Sequence, residues 1–177
     1  MGCGAGTLSK YSPFADDKPE GDAFYDDLRK DTDAAMKRVK EGKSMNLYLS
    51  GEGGYQGRSV LGQAMMTGEL GQVRAIAATS SHDNGENLNA INVERQDQLT
   101  PLMWMATENK VPDETAIEIV NILADHGAKL DFQDERFGLG ALHVATRHGR
   151  KPVLLALLQK RANIDLPDKQ GYTALIM

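Results

Sequence analysis

The 177-residue chain is predicted to be an all-α solenoid of stacked helical pairs, and three observations carry that prediction. The segment Gly138-Leu139-Gly140-Ala141-Leu142-His143 has a counterpart in Asp168-Lys169-Gln170-Gly171-Tyr172-Thr173-Ala174-Leu175, with Leu142 and Leu175 standing 33 residues apart. After such a start, apolar residues recur at helical spacing, stop at a Gly that can take the left-handed conformation, and resume at helical spacing. The composition agrees, because 41% of residues are hydrophobic and only 6% aromatic, which suits packing by many small side chains. A unit this short cannot enclose its own apolar face, so each one needs its neighbours.

The first 21 residues are mainly Gly, Ser, Pro, Asp and Lys with isolated Tyr11 and Phe14, too few apolar groups to offset the entropy of ordering, and a flexible tail (1–21) is expected. From Asp22 to Lys43, Ala23, Phe24, Leu28, Ala35, Met36 and Val39 follow a partly helical spacing, acids early and bases late, as the helix dipole favours. This helix is read as a cap on the solenoid, and the cap and the Gly-rich loop after it make up residues 22–56. The loop Ser50 to Ser59 suggests a phosphate cradle, but a Walker loop ending at Gly57 needs Gly at 52 and Lys at 58. The chain has Glu52 and Arg58 there, so no nucleotide is expected.

A first repeat then opens at Gly57-Arg58-Ser59-Val60-Leu61, its first helix stopping at Gly68 and its second carrying Leu70, Val73, Ile76 and Ala77. A second opens at Thr100-Pro101-Leu102, with a second helix from about Glu114 to His126 buried through Ile117, Ile119, Val120, Ile122 and Leu123. A third opens at Gly140-Ala141-Leu142-His143, turns at Gly149 and resumes at Pro152 with Val153, Leu154, Leu155, Leu157 and Leu158. Pro in a first helical turn gives up an N–H that had no partner there.

These starts resemble the ankyrin repeat family over Gly57 to Met177, with the Thr-Pro-Leu signature intact at Thr100 to Leu102. The resemblance implies short β-hairpin fingers between helix pairs, and repeats at 57–95, 96–132, 133–166 and a partial fourth at 167–177. Val60, Ala141 and Ala174 replace the family's Pro, and its His, which ties a helix start to neighbouring loops, stands only at His143, with Gly62 and Met103 at the matching places. Gln98 and Arg161 occupy turn positions the family gives to Gly, where strain is expected. The first two repeats exceed 33 residues. The surplus is assigned to a loop from Ser80 to Leu88, to the inter-helix turn at Lys110 to Thr115, and to one residue in the finger at Glu135 to Phe137. Met177 falls inside the first helix of the fourth repeat, which is read as the edge of a longer protein.

Most site chemistry is disfavoured. A net charge of -5 argues against gripping nucleic acid phosphates, and Lys37, Arg38, Lys40 and Lys43 read as a solvated helix face. One cysteine, Cys3, excludes an internal disulfide, and no apolar run reaches the length of a membrane span. His82, His126, His143 and His148 lack ligand spacing, so no metal is expected. Asp131, Asp134, Asp165 and Asp168 recur with the repeat and read as turn and cap residues, leaving no catalytic residues and no cofactor.

Binding is better founded. Ankyrin resemblance implies a concave surface of finger tips and first-helix faces that recognises a protein partner: Arg58, Leu99, Arg136, Leu139 and Tyr172 on the fingers, Gln63, Met66, Trp104, Glu108, Val144 and Arg147 on the helices. For Trp104, packing against the long loops is the competing reading. The expected role is a non-catalytic adaptor or scaffold in the cytoplasm. Two alternatives stay open, a structural subunit held by its tail and long loops, and the regulatory repeats of a longer enzyme. Gly2 and Cys3 could accept acyl chains and tether the N-terminus, although Gly6 stands where the acceptor pattern wants Ser or Thr, and an unmodified Gly-rich start is the alternative.

Overall fold

The computed structural model describes residues 60–79, 88 and 99–177; the tail, the cap, the Gly-rich loop, Arg58, Gln98, Gly2 and Cys3 lie outside the described residues. Among the described residues six helices form three antiparallel pairs: α1 (Val60–Thr67) with α2 (Leu70–Thr79), α3 (Pro101–Thr107) with α4 (Asp113–Asp125), and α5 (Ala141–Arg147) with α6 (Lys151–Gln159). Second helices stack on one another, α2 on α4 and α4 on α6, while α3 lies beside α5.

Local chemistry sets the helix ends. Thr100, extended at φ -68° and ψ 163°, accepts the Met103 N–H on Oγ1 at 3.3 Å, and Pro101 follows in the first turn. Gly68 and Gly149 stop the first helices at φ 71° and 64°, and Gly127 ends the second pair at φ 97°. Arg161 takes the place of Gly127 one repeat on and is forced to φ 69°, the only non-glycine among the described residues with positive φ. The strain expected at this substitution is present.

The surplus of the second repeat lies largely elsewhere than expected. The α3–α4 turn is Glu108 to Pro112, two residues longer than His148 to Arg150, while α4 has 13 residues against 9 in α6. Most of the insertion therefore adds one turn to the start of α4, a cheaper way to hold extra residues because each gains a backbone hydrogen bond. Val111 plugs the longer turn, 3% exposed, and Thr115 in the added turn lies against Gly68. In α6 Val153, Ala156 and Leu157 face the core, but Leu155 points outward, 47% exposed.

The core is one continuous cluster from Val60 to Ala174, and Leu88, at the far end of the predicted loop, belongs to it. First helices contribute far more than a stripe. Val60 to Met65, Leu102 to Ala106 and Ala141 to Ala145 are each buried without a break. At 100° per residue, five consecutive buried positions encircle the axis, so these short helices are enclosed on all sides.

Candidate functional site

The two described fingers, before α5 and after α6, carry accessible chemistry, and each is built on one aspartate. In the finger before α5, Asp134 Oδ1 accepts the N–H groups of Arg136 and Phe137 at 2.8 and 2.6 Å, and Oδ2 accepts that of Leu139 at 2.8 Å. The Asp134 N–H donates to the Leu139 carbonyl at 3.0 Å and the Gly138 N–H to the Asp134 carbonyl at 3.0 Å. In the next finger Asp168 Oδ1 accepts the N–H groups of Gln170 and Tyr172 at 2.8 and 2.9 Å, and the Asp168 N–H donates to the Tyr172 carbonyl at 2.8 Å. The first turn is one residue longer, as expected for Glu135 to Phe137. Among the described residues no strand forms; these fingers are aspartate-closed turns.

Adjacent fingers are locked in register. The Lys169 N–H donates to the Phe137 carbonyl at 3.0 Å, Lys169 Nζ reaches the Glu135 carbonyl, and Gln133 Nε2 bridges the carbonyls of Gly138 and Pro167. Gly138 sits at φ 71° where a Cβ would come within 2.9 Å of the Lys169 backbone nitrogen, so only glycine allows this approach. His143, 1% exposed, accepts the Gly140 N–H on Nδ1 at 3.1 Å and faces the Tyr172 carbonyl with Nε2 at 3.2 Å. The neutral tautomer with its proton on Nε2 satisfies both contacts, joining a helix start to the next finger. Asp131 serves the same end by accepting the Asn163 N–H at 2.8 Å. The turn and tie roles read from sequence are present at Asp131, Asp134, Asp168 and His143.

A family profile of ankyrin repeats, in three copies, matches residues 111–177, the segment that holds both fingers. Residues 111–177 carry ankyrin repeats. Ankyrin repeat and SAM domain-containing protein 6 of Mus musculus is 37% identical over 89 residues, which cover 50% of this chain and 9% of that protein. Neurogenic locus notch homolog protein 1 of Xenopus tropicalis is 36% identical over 95 residues, covering 48% of this chain and 4% of the relative. The Danio rerio counterpart is 31% identical over 93 residues, with the same coverage. The chain thus spans less than a tenth of the length of these relatives. Ankyrin repeats generally act as protein-interaction modules.

Within this ankyrin stack the candidate binding residues separate into groups. Gln63, Trp104 and Val144 occupy one equivalent place, two residues after Leu61, Leu102 and Leu142, and all are buried at 4, 7 and 4%. The expectation that they face a partner from the open side of a first helix is corrected, because those helices have no open side. Trp104 is a core residue. Met66, Leu99 and Leu139 are partly buried and pack against the core, and Glu108 is half-buried, its carboxylate accepting the Lys110 N–H at 2.8 Å to close the long turn. Arg136, Arg147 and Tyr172 are exposed. Sequence reading passed over Phe137, which is 50% exposed and has the Arg136 guanidinium carbon 4.8 Å from its ring centroid. Its signal was present: an aromatic beside Gly in the finger that carries the extra residue.

Among the described residues no helix is long and apolar enough to cross a membrane, and no group of three or more His, Cys, Asp or Glu side chains is placed to hold a metal ion.

Proposed function

We propose that this chain is a non-catalytic adaptor that binds a protein partner through its finger tips and the accessible ends of its first helices, with Arg136, Phe137 and Tyr172 as anchors and Arg147, Met66, Leu99, Leu139 and Glu108 around them. The supporting observation is that two large aromatics are exposed on backbones already immobilised. Both the N–H and the C=O of Phe137 and of Tyr172 are hydrogen-bonded within the fingers. A partner closing on them loses little further backbone entropy, and aromatic and Arg side chains are the types that dominate binding energy. The matched segment is a small part of these relatives, 9% and 4% of their lengths.

Affinity capture from a lysate of the source cells tests the reading. The wild-type chain is compared with an Arg136→Ala, Phe137→Ala, Tyr172→Ala variant and with Lys151→Ala, an exposed position on α6. Proteins held by the wild type and by Lys151→Ala, but lost with the triple variant, are expected. Proteins held equally by all three chains would refute recognition through the fingers.

A further inference from the structure

The charges of the stack are paired on one row and unpaired on another. Arg74 meets Glu118 at 2.9 Å, Arg150 meets Asp113 at 3.0 Å and Lys160 meets Asp125 at 2.5 Å, so acids of α4 meet cations from the pairs on both sides. The fingers are different. Asp134 directs both of its oxygens, and Asp168 its Oδ1, at backbone N–H groups of their own turns, and neither is in an ion pair among the described residues. Arg136 has no carboxylate partner among the described residues; its guanidinium lies over Phe137, and its own backbone N–H is fixed by Asp134. Among the described residues the Lys169 ammonium is bound only to the Glu135 carbonyl, leaving two of its three protons to donate.

Counted as formal charge, Arg136 and Lys169 against Asp134, Glu135 and Asp168 leave this region close to neutral, slightly acidic. A run of acids would gain nothing at long range. At contact the situation reverses, because Arg136 and Lys169 have donors to offer, the Arg136 guanidinium lies over Phe137, and Phe137 and, on the next finger, Tyr172 are 50 and 49% exposed. We infer that this site selects a protein segment in which one carboxylate stands next to an apolar or aromatic side chain, the carboxylate taken bidentately by Arg136 and the apolar group laid against Phe137 and Tyr172. A planar fork held over a ring is prearranged for that pairing, which an ammonium does not reproduce. The inference rests on the finger reading above and adds the chemistry of the partner.

A random twelve-residue peptide display library supplies the probe. Selection on the full chain is followed by binding of the enriched peptides to Arg136→Ala, Arg136→Lys, Phe137→Ala and Lys151→Ala. The expected result is peptides with an Asp or Glu within two positions of an apolar residue, losing tenfold or more in affinity with Arg136→Ala or Phe137→Ala. Arg136→Lys should recover less than half of that loss on a logarithmic scale, and Lys151→Ala should bind within twofold of wild type. Peptides sensitive to Arg136 and Phe137 but lacking acids would overturn the inference and leave the finger reading standing. Peptides indifferent to both variants would remove the site altogether. Competition by a synthetic peptide of residues 16–33, which hold eight acids together with Phe24 and Tyr25, at the affinity of the selected peptides would assign the site to the chain's own segment and also overturn the inference.

Discussion

Replacing Asp134 by Ala tests the claim that one carboxylate builds the finger. Three backbone N–H groups lose their acceptor at once, at 2.8, 2.6 and 2.8 Å. Those of Arg136 and Phe137 belong to exposed residues and regain water, so each loss costs about 0.5–1 kcal/mol, the low end for a hydrogen bond. The Leu139 N–H is half-buried beside Asp134, itself 8% exposed, and an orphaned donor there costs about 1–2 kcal/mol. The sum is about 3 kcal/mol. Asp168 supplies an internal comparison, because it accepts only two N–H groups in a more open turn, and Asp168→Ala is expected to cost about 1–2 kcal/mol. Asp134→Asn separates the two oxygens: its remaining carbonyl can still serve Arg136 and Phe137, while its amide nitrogen faces the Leu139 donor, so about half of the alanine loss should remain. Urea unfolding followed by helical circular dichroism reads all three, provided the slope with denaturant stays constant. A loss for Asp134→Ala no larger than for Asp168→Ala, or an Asn variant as damaged as Ala, would refute the argument.

Other substitutions probe backbone and core. Arg161→Gly relieves a left-handed non-glycine residue and should stabilise by about 0.5–1 kcal/mol after the entropy of glycine in the unfolded chain is counted, read as a rise in urea midpoint. Gly138→Ala should cost about 2–4 kcal/mol because strain at φ 71° combines with a Cβ 2.9 Å from the Lys169 nitrogen, whereas Gly149→Ala, with φ 64° but nothing within 4 Å, should cost only about 1 kcal/mol, and the difference between their midpoints isolates the finger contact. Trp104→Ala should cost about 3–5 kcal/mol as a core truncation, measured by the same unfolding, and any partner it loses reflects unfolding unless the variant is shown to be folded.

Much of the architecture was written locally. Thr100 with Pro101, the glycines at 68, 127 and 149, and the recurrence from Leu142 to Leu175 determined where helices start, where they stop and which family they resemble, because capping and left-handed turns depend on a few adjacent residues. Asp134 and Asp168 were legible because they recur with the repeat, and His143 because the family resemblance puts a His at that helix start. The accessible surface was not legible. A first helix of seven residues shows the same apolar spacing whether one side or every side is covered, and only the stacking of neighbours decides that Trp104 and Val144 are enclosed while Arg147 stays open. The added turn of α4 reads as loop in the sequence for the same reason, because helix length depends on whether Gly68 and Arg150 of the adjoining pairs are there to meet it. Periodicity and turn chemistry thus determined the repeat from sequence alone. Which side chains are left for a partner was decided by tertiary structure, since burial belongs to the stack and not to any single unit.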